Sequence, residues 1–435
     1  MRVLDSFLKQ TLDCRGVRSR TSSRATVRFT LVVSFLLLTT NAFAVTNNLS
    51  DCSQATVQNA INSSLDGDVL VCPGGSWSWS NVDIVNHDIT LLGSGIGITN
   101  ISITAAGGIE ATSSNTKPFR ISGFTFTSTG SFGTDTGLAL MRIQGGHGWR
   151  IDHNRLQIYS DVISYNGGNG IYTRNDVSGV IDHNQFVKGG GSGCMHASVY
   201  PEGAGNTAWG WTSQIGSFSH TVFIEDNYFN NPDACSAHNA HAVYAQRGGI
   251  YVARHNEIHG MNFDSHGFCA THGTREYEIS NNTWIGVGST SLYAVIHMRG
   301  GTGVIYGNSW TGNTTYGYWW EDYRAQAESG CGSSETSNVP GYGNVAANSS
   351  CPEGYPCAEQ VGRGQNNSSD ILYVWNNSGN SSLLNSAPSF IQSGRDYILN
   401  QGGKPGYSSY PYPHPLTTGS TGQPTAPTNL RITSP

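Results

Sequence analysis

A four-residue phrase ending in asparagine recurs six times in one phase. It reads Ile151-Asp152-His153-Asn154, Ile181-Asp182-His183-Asn184 and Ile224-Glu225-Asp226-Asn227, then Ala253-Arg254-His255-Asn256, Ile279-Ser280-Asn281-Asn282 and Ile305-Tyr306-Gly307-Asn308. Two residues after each asparagine stands an apolar side chain: Leu156, Phe186, Phe229, Ile258, Trp284 and Trp310. The asparagines are 30, 43, 29, 26 and 26 residues apart. A fixed-phase repeat of this length signals stacked supersecondary units, none of which can bury its apolar face alone.

The unit is rich in β-formers and punctuated by Gly and Asn, which suits one coil of a β-solenoid better than a helical repeat. The expected fold is all-β: a single-stranded right-handed parallel β-helix with an N-terminal cap. Equivalent residues of stacked coils lie about 4.8 Å apart. An Asn at each equivalent turn can bond its amide to the next Asn and to the backbone, and it tolerates left-handed turn geometry. The ladder is expected at 154, 184, 227, 256, 282 and 308.

Composition fits. The 435 residues include 55 glycines, only 12% are charged, and 10 Trp with 20 Tyr exclude a disordered chain. Arg24 and Arg28 precede an apolar run from Phe29 to Leu38, followed by Ala42-Phe43-Ala44. This reads as a signal peptide over 1–44, too short to span a bilayer, and implies a secreted or cell-surface protein with no membrane span after cleavage. The 1–44 segment holds seven basic and two acidic side chains, so its loss makes the chain more acidic than its formal −6. No basic stripe for nucleic acid exists, and a monomer is expected.

Cleavage removes Cys14 and leaves eight cysteines, an even count that favours disulfides in an exported chain. Cys52 and Cys72 flank an amphipathic segment, Ala55 to Ile61, and are expected to pair across the cap. The expected organisation is a cap over 45–80, a β-helix over 81–416 interrupted by insertions at about 189–217 and 229–240, and a Ser/Thr/Pro-rich linker or truncated module over 417–435. The stretch 314–364 reads as irregular.

Several side chains stand out against the repeat. His153, His183 and His255 directly precede a ladder Asn and read as structural. Asp264, His266, His272 and His297 lie off that phase, where departures from a local rule mark functional sites. Arg174, Arg247, His272 and Arg299 lie nine or ten residues before a ladder Asn. Stacked cations at coil spacing repel unless something anionic lies on them. They read either as partners of nearby carboxylates or as a groove for an acidic sugar chain gripped by guanidinium groups. Arg275, Trp319, Trp320 and Arg324 join Arg174 and Arg247 as expected substrate contacts. Trp209 and Trp211 read either as sugar platforms or as cover for the solenoid.

The repeat resembles the right-handed parallel β-helix proteins of the pectin-lyase-like superfamily, bacterial and exported, over about residues 50–415. The resemblance implies the fold. It does not select an activity, because that superfamily holds polysaccharide lyases, glycoside hydrolases, pectin methylesterases, tailspikes and adhesins, and no complete catalytic signature of polygalacturonases or pectate lyases is present.

The residue types discriminate further. Hydrolysis of a glycoside normally needs two facing carboxyl groups. β-Elimination of a uronate needs a cation for the substrate carboxylate and a base for the C5 proton. The His- and Arg-rich cluster favours elimination, with catalytic residues expected among His272, His266, Asp264, Arg299 and His297. In that scheme His272 or His266 is the base and Asp264 orients it. The alternatives are a glycoside hydrolase using Asp264 with a second carboxylate, Glu276 or Asp322, and a non-catalytic glycan-binding or adhesin β-helix. No cofactor follows from the sequence. Asp264, His266 and His272 suit a transition metal, and calcium would serve a uronate lyase by shielding the carboxylate.

Overall fold

The computed structural model describes residues 44–112, 116–130, 137–159, 168–191, 195–217, 219–232, 240–266, 273–286, 292–312, 314–321, 361–386, 388 and 391–418. His272, Asp322, Arg324, the cysteines after Cys72, and residues 1–43 and 419–435 lie outside the described residues.

Strands follow one another in a fixed order. Asp68–Val71 leads to Gly75–Trp79 and then to Val82–Ile84, and the next strand, Ile89–Leu92, pairs in parallel with Asp68–Val71. Repetition of this path builds three sheets of 12, 10 and 9 strands among the described residues, here called the first, second and third in that order. Every pairing between neighbouring strands of the sheets is parallel, as a β-helix requires. The register keeps the repeat in phase: Ile151 faces Ile181, Ile181 faces Ile224, and the line continues through Ala253, Ile279, Ile305 and Val374. All point inward and are buried. Phe186 and Phe229 stack inside the coil with centroids 4.9 Å apart.

The asparagine ladder forms as expected and gains a rung. The Oδ1 of each of Asn184, Asn227, Asn256, Asn282 and Asn308 accepts the backbone N–H of the preceding rung at 2.9–3.0 Å. Asn377 extends the series by accepting from Asn308 at 2.9 Å. The left-handed conformation falls on the residue before each Asn, with φ of 54° at His153, 53° at His183, 54° at Asp226 and 57° at His255. The ladder Asn is therefore selected for its amide and not for turn tolerance. His153 and His183 stack with centroids 4.9 Å apart and turn Nδ1 to Asp152 and Asp182, a structural arrangement.

The cap contains a helix, Gln54–Ser63, whose N-cap Ser53 accepts from Thr56 N–H. Val57 and Ile61 plug the end of the core. Cys52 and Cys72 form a disulfide with Cα atoms 5.2 Å apart. At the other end, residues 404–418 return along the outer face of the first sheet. Tyr407 reaches Tyr306, Arg254 donates to the carbonyls of Tyr410 and Pro411, and Arg150 donates to Leu416 O.

Candidate functional site

The second sheet carries most of the side chains that the sequence singles out. Strands alternate faces, so one residue per coil points outward at each level. One outward column runs Glu110, Arg142, Tyr172, Tyr200, then Tyr244, Asp264, His297, Trp319. Edge-to-face contacts at 5.5 and 5.0 Å join Tyr172 to Tyr200 and Tyr200 to Tyr244. Two residues further along each strand lies a second outward column: Arg174, Glu202, Gln246, His266, Arg299 and Glu321. Backbone bonds from Glu202 N to Thr173 O, His266 N to Ala245 O, Arg299 N to Ser265 O and Glu321 N to Met298 O set its register. The two columns make a strip over consecutive coils.

At one end of the strip Asp264, His297, Arg299 and Glu321 converge. His297 places Nδ1 3.0 Å from Asp264 Oδ2 and Nε2 3.0 Å from Glu321 Oε2. Arg299 donates from Nη2 to Asp264 Oδ2 at 2.9 Å, and its Nε stands 3.5 Å from Glu321. Asp264 is fully buried. Burial pushes its carboxyl up, but Arg299, His297 and His241 together outweigh that and hold it well below the usual carboxylate range. Beside it, burial drives His241 down to about 4 and His196 down to about 3, so both rings are neutral at pH 7.

The expected site residues fall into three groups. Asp264, His297 and Arg299 meet, and His266 occupies the position between Gln246 and Arg299. Arg174 and Arg247 gather about Glu202, with their Nε atoms 3.9 and 3.3 Å from its carboxylate. Trp319 lies on the strip. Trp320 does not: Thr314–Trp320 is a regular strand paired with Leu292–Met298, and alternation turns Trp320 into the core. Arg275 is likewise off the strip, buried under the insertion with its guanidinium over Trp209 at 5.6 Å. Trp209 is buried and donates to Gly273 O, while Trp211 stacks on His220 at 4.0 Å. Glu276 faces Ser213 and the N–H of Gln214. It serves to dock the insertion and is sealed from the strip.

Asp264 lies on Asn262–Ser265, a strand of the second sheet, and His266 follows it directly. Asp264 pairs with His297, not with His266. Residues not anticipated from sequence are Tyr172, Tyr200, Tyr244, Glu202 and Gln246. Among the described residues no group of three or more His, Cys, Asp or Glu side chains is placed to hold a metal ion. No described helix is long and apolar enough to cross a membrane.

No protein-family model matches the chain, and no curated protein matches it in sequence. Solved structures share its architecture at low identity. An alginate lyase from Paenibacillus sp. str. FPU-7 is 15% identical, with a TM-score of 0.39 over 63% of this chain and 97% of that one. A PL6 family polysaccharide lyase from Pseudopedobacter saltans is 14% identical, TM-score 0.35, over 63% and 60%. The catalytic domain of a GH87 α-1,3-glucanase is 10% identical, TM-score 0.34, over 83% and 68%. The fold rests on the strand register and not on these likenesses.

Proposed function

We propose that this protein is an exported carbohydrate-active enzyme that cleaves glycosidic bonds of a uronate-containing polysaccharide by β-elimination along the second-sheet strip. One observation carries the reading. Side chains of successive coils line up outward as a row of tyrosines, imidazoles and guanidinium groups interleaved with the carboxylates of Glu110, Glu202, Asp264 and Glu321, the shape of a track for a polysaccharide chain.

In this scheme Arg299, fixed by Asp264, faces the substrate carboxylate and stabilises the charge that develops when C5 loses its proton. His266 accepts that proton. The electron pair forms the C4–C5 double bond, the C4–O bond breaks, and the leaving oxygen takes a proton from the hydroxyl of Tyr244, whose ring lies 5.6 Å from His266. His297 spends both ring nitrogens on carboxylates and acts by positioning Asp264 and Glu321. A hydrolytic pair built on Asp264 needs one carboxyl kept protonated as general acid. Asp264, held ionised, is unsuited to that role.

The test is incubation of the mature protein with alginate, polygalacturonate and glycosaminoglycans, read by ultraviolet absorbance of the unsaturated product and by new reducing ends. Both signals together support elimination. Reducing ends without the absorbance assign hydrolysis. Neither signal, with binding retained, assigns a glycan-binding β-helix.

A further inference from the structure

We propose that Arg174 and Arg247, held on the carboxylate of Glu202, form a second anion subsite about two coils before Asp264, which grips another carboxylate of the same polysaccharide strand. This rests on the reading of the strip as a track for an acidic glycan. At about 4.8 Å per coil the two sites stand roughly 10 Å apart along the axis.

Three observations carry it. First, Arg247 has φ of 51°, the left-handed region. Every other described non-glycine residue there is Asn, Asp or His, types that tolerate it. A residue with a long unbranched side chain has no such excuse, and strain of this kind persists where function needs the side chain in place. The backbone is locked around it: Gly203 and Gly205 both donate to Arg247 O, and a Cβ at Gly203 would stand 2.1 Å from Gly248 O.

Second, Glu202 is buried and already satisfied. It accepts from Tyr172 Oη and from Gln246 Nε2. The arginines approach it only at 3.3 and 3.9 Å. The structural pairs of the first sheet differ: Arg120–Asp152, Arg150–Asp182 and Arg254–Glu225 close to 2.6–2.7 Å with arginine side chains 2–8% exposed. Arg247 is 20% exposed and Arg174 46%. Third, two guanidinium groups approach the single carboxylate of Glu202. Paired guanidinium groups suit bidentate capture of a carboxylate.

The test is calorimetric titration of the mature protein with hexasaccharides of guluronate, mannuronate and galacturonate, with maltohexaose as the neutral control. Arg174→Gln and Arg247→Asn are each expected to weaken binding of an acidic hexasaccharide about tenfold, and Glu202→Gln to weaken it by disordering both arginines. Asn tolerates the left-handed backbone, so Arg247→Asn should leave the melting temperature unchanged or raise it. Unchanged affinity in both arginine variants overturns the proposal. So does a large drop in melting temperature for Arg247→Asn, which would assign the residue to the fold. A wild type that binds none of the three acidic hexasaccharides overturns it too. Binding with the expected losses but no cleavage leaves the subsite standing and sinks the lyase reading alone.

Discussion

The indole of Trp319 lies flat on the imidazole of His297, ring centroids 3.8 Å apart and planes within 4° of parallel. The indole is itself fixed, since Nε1 donates to Ser386 Oγ at 2.6 Å. One face of His297 is thereby covered while its edge is held by Asp264 and Glu321. The stack keeps the ring from turning away from either carboxylate.

This gives a first prediction. Trp319→Leu removes the flat partner, and turnover on a cleaved polyuronate should fall about tenfold, with KM changing less than kcat, because the loss concerns positioning in the transition state. Trp319→Phe keeps a ring face and should restore most of the rate. Equal losses in both variants would mean that the stack is incidental.

A second prediction concerns Asp264. Replacing it by Asn leaves Arg299 facing a neutral amide in a fully buried place. Breaking a buried ion pair from one side typically costs about 3–5 kcal/mol. Urea unfolding should show a loss of that order together with loss of activity. Arg299→Gln should be as inactive and similarly destabilised, and the double variant should recover part of the stability. Losses that simply add in the double variant would show that the two residues are not coupled.

The ladder supplies a third. Asn256 Oδ1 accepts the backbone N–H and the Nδ2 of Asn227, and Asn256 Nδ2 donates to Ile224 O and Asn282 Oδ1. Asn256→Ala strands buried groups on both sides, each worth about 1–3 kcal/mol. Asn377→Ala, at the end of the series and only partly buried, should cost less. A flat profile of denaturant midpoints along the ladder would refute this ordering.

The ladder was legible because its phrase is rigid: an inward Ile or Ala, a turn residue with positive φ, then Asn. A second phrase is visible with the fold in hand. Ile171-Tyr172-Thr173-Arg174, Val199-Tyr200-Pro201-Glu202, Val243-Tyr244-Ala245-Gln246, Phe263-Asp264-Ser265-His266, Ile296-His297-Met298-Arg299 and Tyr318-Trp319-Trp320-Glu321 are the same four positions of successive coils. They alternate inward and outward, and the outward pair builds the strip. Counting back from the ladder Asn conceals this, because the turn between the second and first sheets varies in length. It spans 10 residues from Arg174 to Asn184 and 16 from His266 to Asn282. A fixed count therefore lands on His272 where the strand presents His266. Glu202 lay in a stretch read as insertion, although the insertion begins only after it.

The last prediction concerns the returning C-terminal segment. His414 lies against Phe223 at 4.5 Å between centroids, and its own N–H donates to Glu225 Oε2 at 3.0 Å. Its Nδ1 accepts from Leu416 N–H at 3.1 Å, so the folded state uses the neutral ring. Burial, the largest influence, and then Arg254 lower its pKa to about 4, and Arg150 adds to the effect while Asp182 opposes it. In the unfolded chain it titrates near the ordinary value of about 6.5. Between these values the unfolded state binds more protons, so stability is full above about pH 6.5 and is lost as pH falls towards 4. His241, with the same direction of shift, adds to the slope. Melting temperature should therefore decline over that window, and the segment at 404–418 should become open to proteolysis before the coils melt. His414→Gln, which keeps an acceptor for Leu416 without a titrating ring, should flatten part of the decline. If His414→Gln tracks the wild type from pH 6.5 to 4 in both melting and proteolysis, the return segment is not held by the neutral imidazole.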